Sequence, residues 1–409
     1  MKTTGIIAEY NPFHNGHKYH LEQARLQTNA DYMIVIMSGD YTQRGTPAIY
    51  SKYLRAKAAL TAGADLVLEM PVFGAVASAP DFARTGVNGL AATGVCDHLF
   101  FGSESGNIDT LSRQADLLDN ESKELSDAIK SGLKNGLTWP QARAQAYQTV
   151  GSDGADNESA VSSLPNDILG VEYIRAIRES GCSLTPVTLQ RNDPGYHSEE
   201  KFGQFASATA ARKAIHEGNL SFLQEVLPDE WFECLKEASY PPITFNDCSL
   251  LLGEKLLRAT LDDLTSISSM PDDLARKLYK HQLDFMYAED MVTARKDRNY
   301  TYTRVNRSLL NFMLGITKDD AQLFKDFSYV PWIRILGFRK DASPLLSELK
   351  KNTTVPVITK VANADSILAD SSLKLFRKQI QASETYRLIS QLKSNRVQKN
   401  EYTHSVIIV

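Results

Sequence analysis

The sequence predicts a doubly wound α/β domain built on a parallel sheet, followed by a mainly helical domain. Three observations carry this expectation. Over the first 220 residues, short continuous apolar runs alternate with helix-patterned segments, as strands buried on both faces require. Beyond about Leu220 the strand signals thin out and long helical patterns take over. A length of 409 residues argues for two or three domains at roughly 100–200 residues each. The division falls at 1–225 and 226–409.

The elements follow in order. Thr3–Glu9 reads as the first strand, with helical sequence from about Gly16 to Gln27 after it. Tyr32–Met37 (YMIVIM) is a second buried strand, followed by a helix near Tyr50–Thr61. Asp65–Glu69, His98–Phe101 and Thr185–Leu189 are further strands. The polar, Gly/Ser/Asp-rich stretch 148–163 reads as an excursion from the domain. In the second half, Ser249–Leu264 and Asp272–Tyr287 read as long helices, with a few strands expected near Val355–Val361 and Ser405–Val409. Trp332 and Phe338 are expected in the core.

Composition excludes several classes. Hydrophobic residues make up 43% and charged residues 23%, which fits a globular chain and not a disordered, collagenous or coiled-coil one. No apolar run reaches the roughly 18–20 residues of a membrane helix, and the start, broken by Glu9, is no secretory signal; a cytoplasmic location is expected. Cys96, Cys182, Cys234 and Cys248 are far apart with no CxxC, against a zinc ribbon or disulfide framework. The net charge is −4, yet residues 371–409 hold seven Lys/Arg against Glu384 and Glu401, leaving −9 for the remainder. A second basic cluster, Arg295, Lys296, Arg298, Arg304 and Arg307, has Asp297 as the sole acid between 291 and 310. Such segregation suits a polyanionic partner; solvated helix faces are the competing explanation.

The most informative stretch runs from Gly5 through His17. A strand ends near Glu9, the chain turns through Asn11 and Pro12, and His14-Asn15-Gly16-His17 opens a helix. Gly16 lets a ligand approach the backbone, and the helix start offers N–H groups and a positive dipole end to phosphate. Two imidazoles three apart on one helix face can both donate to the same phosphate. An HxxH pair alone serves equally well as caps, packing residues or a metal pair; the strand, turn and glycine favour phosphate. Ser207-Ala-Thr209-Ala-Ala-Arg212 sets a hydroxyl pair at a helix start with an arginine one turn on, a plausible β/γ-phosphate clamp or else an ordinary cap.

These two stretches resemble the HxGH and Ser-x-Thr-x-x-Arg motifs of the nucleotidyltransferase superfamily (a HUP or Rossmann-like fold). The likeness is closer still. Tyr10–His17, Met37-Ser-Gly-Asp-Tyr-Thr-Gln-Arg-Gly45, Gly63–Glu69, Phe101-Gly-Ser-Glu104, Pro165–Tyr173 and Tyr300-Thr-Tyr-Thr-Arg304 together resemble the bacterial tRNA(Met) cytidine acetate ligase family. That resemblance implies activation of acetate by ATP, with Mg²⁺ on the phosphates, through an acetyl-adenylate, and acetylation of N4 of the wobble cytidine of elongator tRNA(Met), without coenzyme A or a membrane. It implies that His14 and His17 stabilise the α-phosphorus. The ATP would be wrapped by Ile7, Ala8, Glu9, Tyr10, Asn11, Pro12, Phe13, His14, Asn15, Gly16, His17, Lys18, Tyr19 and His20. Gly102, Asn166 and Arg191 would complete the pocket, with Ser207, Thr209 and Arg212 on the phosphates. Asp167 departs from the pattern, which leads one to expect a second amide after Asn166. Lys18 and His20 lie near the phosphates by spacing, or on the helix surface.

The chemistry has its own requirements. A carboxylate attacking phosphorus needs in-line positioning and charge stabilisation more than a protein nucleophile, and no Ser/His/Asp or Cys/His arrangement stands out. No resident metal site is expected. The Ser38–Gly45 loop follows the second strand, so it should face the site. There Asp40 could accept a proton or hydrogen bond from the cytosine amine, and Gln43 or Arg44 could read a base or a phosphate; a polar surface turn is the alternative. Arg295, Lys296, Arg298 and Arg304 interleave with Tyr300 and Tyr302, cations for RNA phosphates and rings for unstacked bases, or else a packing segment with solvated charges. Two other functions compete: a small-molecule adenylyltransferase, and a non-catalytic RNA-binding protein with a relic nucleotide pocket. ATP–pyrophosphate exchange separates the three.

Overall fold

A computed structural model of the chain describes residues 1–119, 123–135, 137, 141–142, 145–146, 149, 164–191, 201–202, 205–237, 241–297 and 300–409. Residues 148 and 150–163 of the expected polar excursion, and Arg298, lie outside the described residues.

Five parallel strands form the centre: β1 (Thr3–Ala8), β2 (Tyr32–Ser38), β3 (Leu66–Met70), β4 (His98–Ser103) and β5 (Thr185–Gln190), each within a few residues of its sequence expectation. The short pair β6 (Lys201–Phe202) and β7 (Phe205–Ala206) forms a separate two-stranded sheet. Then β8 (Ile333–Phe338), β9 (Val357–Ile358) and β10 (Ile407–Ile408) return to the main sheet, whose order is β10-β8-β3-β2-β1-β4-β5 with β9 on β8. Strand β8 runs antiparallel to β3, Leu66 opposite Phe338. The α/β layer therefore draws strands from both sides of the residue 225 boundary. Trp332, expected in the core, is buried, and the stretch after it is a sheet strand.

Alternation along the strands explains the two-sided burial. Met33, Val35 and Met37 of β2 pack on one face with Ile6, Val67, Phe100 and Leu336. Ile34 and Ile36 pack on the other with Leu68, Leu99, Phe101 and Ile335. Helices Asn15–Thr28 and Lys52–Thr61 supply buried residues to the first cluster, helices Ala79–Ala92 and Pro165–Ser180 to the second. A third core binds the helices of the second half.

The two long helices expected there are broken. Ser249–Arg258 stops, and Leu261–Thr265 starts anew, because Thr260 and Asp263 form a reciprocal cap: Asp263 Oδ2 accepts the Thr260 amide at 2.9 Å and Thr260 Oγ1 the Asp263 amide at 3.2 Å. Asp272–Lys280 likewise ends in a 3₁₀ turn, Gln282–Asp284. The 25-residue helix Asp370–Ser394 spans the junction of the two halves. It accepts the Tyr41 hydroxyl at the Ala382 carbonyl (3.1 Å), and Tyr386 donates to the Ala48 carbonyl (2.8 Å). Among the described residues no helix is long and apolar enough to cross a membrane.

Candidate active site

The strand order reverses at β1, so a crevice lies beyond the carboxyl ends of β1 and β4. The chain leaves β1 through Glu9 and Tyr10 and passes a cis Asn11–Pro12 peptide before His14 caps the helix Asn15–Thr28. Tyr10 has φ of +49°, a conformation costing a tyrosine about 1–3 kcal/mol. Its buried ring meets Phe13 and His17 edge-on, each at 4.8 Å, and this packing holds the turn.

The two histidines are oriented by backbone amides. His14 Nδ1 accepts the Gly16 amide at 3.1 Å, and His17 Nδ1 accepts the His14 amide at 3.3 Å. A nitrogen that accepts is unprotonated, so each neutral ring carries its proton on Nε2. The rings stack with centroids 3.7 Å apart. A Cβ on residue 16 would stand 3.0 Å from His14 Cε1, so glycine lets that ring fold over the helix start. Burial first, then the Arg191 guanidinium and any proton taken up by His14 or His20, push His17 well below the ordinary histidine range, so it is neutral at pH 7. The capping role and the donor role coexist, because they use opposite edges of each ring.

The remaining pocket candidates converge from other elements. A Cβ on Gly102 would lie 3.1 Å from the Arg191 side chain and 3.9 Å from His20 Cδ2, which places these three together at the end of β4. His20 is pushed down to about 3 by burial and then by Arg191, and its buried Nε2 has no hydrogen-bond partner among the described residues. Asn166 opens the helix Pro165–Ser180, where Glu104 accepts from the Asn166 amide (3.2 Å) and side chain (2.8 Å) and from the Asp167 amide (2.8 Å). Asp167 accepts from the Ser105 amide and hydroxyl, both at 3.1 Å, and so ties the turn after β4 to the same helix. Glu104 directly follows β4, and that place after a strand end is the signal in the sequence that marks it.

The Ser-x-Thr-x-x-Arg helix reaches the first motif from 201 residues away. Ser207 Oγ accepts the Ala210 amide at 3.1 Å, and Arg212 donates to the Asn11 carbonyl (2.6 Å) and to Thr209 Oγ1 (3.0 Å). Asn15 donates to the Glu225 carbonyl at 3.0 Å. Ile7, Ala8 and Lys18 are half-buried, Pro12 is buried, and Tyr19 is exposed.

The Ser38–Gly45 loop is also joined to β1, since the Gln43 amide donates to Glu9 Oε1 at 2.7 Å. Buried Arg55, not anticipated as functional, donates to the carbonyls of Glu9 (2.6 Å), Ser38 (3.0 Å) and Gly39, and so clamps the ends of β1 and β2 together. Asp40, expected to face the cytosine amine, has its carboxylate turned to a buried ammonium. It is buried against Lys52, whose ammonium also meets Glu69 (2.9 Å), Glu401 (3.1 Å) and Ser383 (2.7 Å). A dry ammonium needs carboxylates around it, and Asp40 serves as one of them.

The RNA candidates divide. Tyr300, expected to stack on a base, is only 6% exposed; its hydroxyl donates to Asp273, and Lys277 and Arg304 sit over its ring at 5.4 and 5.2 Å. Tyr302 is exposed, as are Lys296 and Arg304, with Arg295 and Arg44 half-buried. The basic tail is largely paired with acids. Lys374 and Lys378 pair with Asp320, Arg377 with Asp365, Arg387 with Glu384 and Lys393 with Asp247. Most of the positive surplus of residues 371–409 thus answers acids, four of these pairs reaching acids outside the segment.

A family model described as HIGH Nucleotidyl Transferase matches residues 1–401, and the chain belongs to that family. Its similarity to particular proteins spans full length. A protein of Caldanaerobacter subterraneus subsp. tengcongensis named tRNA(Met) cytidine acetate ligase is 37% identical, and one of that name from Acetivibrio thermocellus 33%, each over all of both chains. The crystal structure of Thermotoga maritima TmcAL superposes with a TM-score of 0.93 in its apo form and 0.90 when bound with alpha-thio ATP, at 29% identity and full coverage of both chains.

Proposed function

We propose that this chain is an ATP-dependent tRNA(Met) cytidine acetate ligase acting through an acetyl-adenylate. The observation that carries the reading is the meeting of both phosphate motifs at one strand end: two imidazoles fixed as Nε2–H donors, with Arg212 braced on the Asn11 carbonyl between them and the second helix. Full-length likeness to relatives of that name supports the substrate class.

In the proposed reaction a carboxylate oxygen of acetate attacks the α-phosphorus of ATP, and pyrophosphate leaves with the electrons of the broken P–O bond. N4 of the cytidine then attacks the acetyl carbon, AMP departs, and N4 loses a proton. His14 and His17, being neutral donors, stabilise the oxygens of the five-coordinate phosphorus without repelling one another. In this reading Mg²⁺ enters with the nucleotide substrate, on its phosphates. Tyr10 and Phe13 back the histidines, Gly102 with Arg191 and His20 forms the wall at β4, and Asn166 is held for the nucleotide by Glu104. The reaction uses no coenzyme A and takes place in the cytoplasm.

Incubation of tRNA with the protein, ATP and isotopically labelled acetate, followed by mass spectrometry of the nucleosides, should reveal labelled N4-acetylcytidine with equimolar AMP and pyrophosphate. Release of ADP, or a strict need for acetyl-CoA, would refute the adenylate route.

A further inference from the structure

The helix Tyr302–Leu314 carries a cation in its first turn, where helices ordinarily favour acids. Thr301 caps it, Arg304 is its third residue, and no acid stands in its first turn. Arg304 and Arg307, three apart, share a face. Neither forms an ion pair with a carboxylate among the described residues, whereas five cations of the 371–409 segment do. Arg307 is half-buried, and its Nη1 donates to the Gln43 carbonyl at 3.3 Å. Burial, and then the neighbouring Arg304, lowers the Arg307 guanidinium to about 10. Two guanidiniums on one helix face, in its first two turns and without a carboxylate partner among the described residues, form an arrangement that an anion relieves.

The location narrows the anion. Gly45 has φ of +77°, and a Cβ there would lie 2.3 Å from the Arg307 amide nitrogen, so the loop after β2 is seated directly on this helix. Asn306 donates to the Arg44 carbonyl at 3.3 Å, and the adjacent Gln43 ties the same end of the loop to Glu9. The arginine pair therefore adjoins the loop that borders the nucleotide motif, on the side of the second, helical half.

We propose that Arg304 and Arg307 form a phosphodiester site that holds the RNA substrate beside the nucleotide pocket. Tyr302, exposed on the same first turn, gives an adjacent ring surface. The proposal rests on the tRNA reading above, and its test separates the two. Arg307→Gln and Arg304→Gln should each raise the KM for tRNA roughly tenfold, the loss of a charge-assisted contact. Each should also reduce the slope of log affinity against log salt by about 0.7–0.9. Arg307→Lys, which keeps the charge, should retain the slope. Unchanged tRNA affinity and slope in both Gln variants would overturn the proposal, even if the wild type acetylates tRNA. A raised KM for ATP in acetate-dependent exchange, with tRNA binding intact, would overturn it by assigning the phosphate to the nucleotide. A wild type that binds tRNA with the arginine-dependent slope but makes no acetylcytidine would uphold the site and overturn the reaction.

Discussion

At His17 a single hydrogen bond does two jobs. Accepting the His14 amide at Nδ1 closes the helix start and also fixes the proton on Nε2, where a donor is needed. His17→Ala should cut acetate-dependent ATP–pyrophosphate exchange by about 10²–10³-fold, the typical loss for one preorganised donor, with the far-ultraviolet circular dichroism unchanged. Near-normal exchange in that variant would sink the assignment. His20 makes a separate prediction through pH. Its folded value, about 3, lies below the ordinary 6.5, so the unfolded chain binds the extra proton between those values. This contribution is complete above about pH 6.5 and drains away as pH falls towards 3. Urea unfolding at pH 7 and pH 5 should therefore show a loss of stability that His20→Gln reduces. The histidine motif was legible in the sequence because it is contiguous. The surroundings of Asp40 were not legible, because Lys52, its partner, belongs to a buried cluster completed by Glu401 from the far end of the chain.

The loop after β2 and the helix Tyr302–Leu314 behave as one joint at the scale of elements. Gly45 is required twice over, by its positive φ and by the backbone of Arg307 against its α-carbon. Gly45→Ala should cost at least about 1–3 kcal/mol in urea denaturation and should weaken tRNA binding, as the loop lifts from the arginine helix. A variant of wild-type stability would mean that the loop adjusts freely. The sequence marked both elements, one by its glycines and one by its interleaved cations and tyrosines. It could not bring them together, since 262 residues separate Arg44 from Asn306. Nor could it foresee that Tyr300 lies beneath Arg304 and Lys277, a placement set by which ring faces the helices cover.

For the whole molecule the decisive contact is the buried charge cluster. Lys52 and Arg334 meet Glu69 of β3 and Glu401 of the C-terminal segment, and Ser383 and Gln379 of the long helix complete the ring. Sheet, helical half and C-terminal segment are locked at one point. Lys52→Met leaves three carboxylates with too little compensating charge and should destabilise by about 3–5 kcal/mol in chemical denaturation. Glu401 is held down at about 2 by Lys52 and Arg334, against the opposing effect of its burial. Its folded value being the lower one, its stabilisation is complete above about pH 4.5 and is lost as pH falls to about 2. Acid unfolding should accordingly shift to higher pH in Glu401→Gln, and an unshifted midpoint would show that the cluster tolerates the loss.

The sequence by itself determined the five parallel strands, the turn and helix that present His14 and His17, and the likeness to a nucleotide-activating family. All are local patterns: apolar runs of strand length, and motifs whose residues are neighbours along the chain. Only the tertiary structure decided that β8 and β10 complete the sheet and that the basic tail answers acids of other elements. The same holds for the charge at Arg304 and Arg307, which stays unpaired among the described residues. The physical reason is that net charge and strand pairing are properties of what lies a few ångströms away in space, and partners such as Lys52 and Glu401, or Leu66 and Phe338, are brought there by the fold alone.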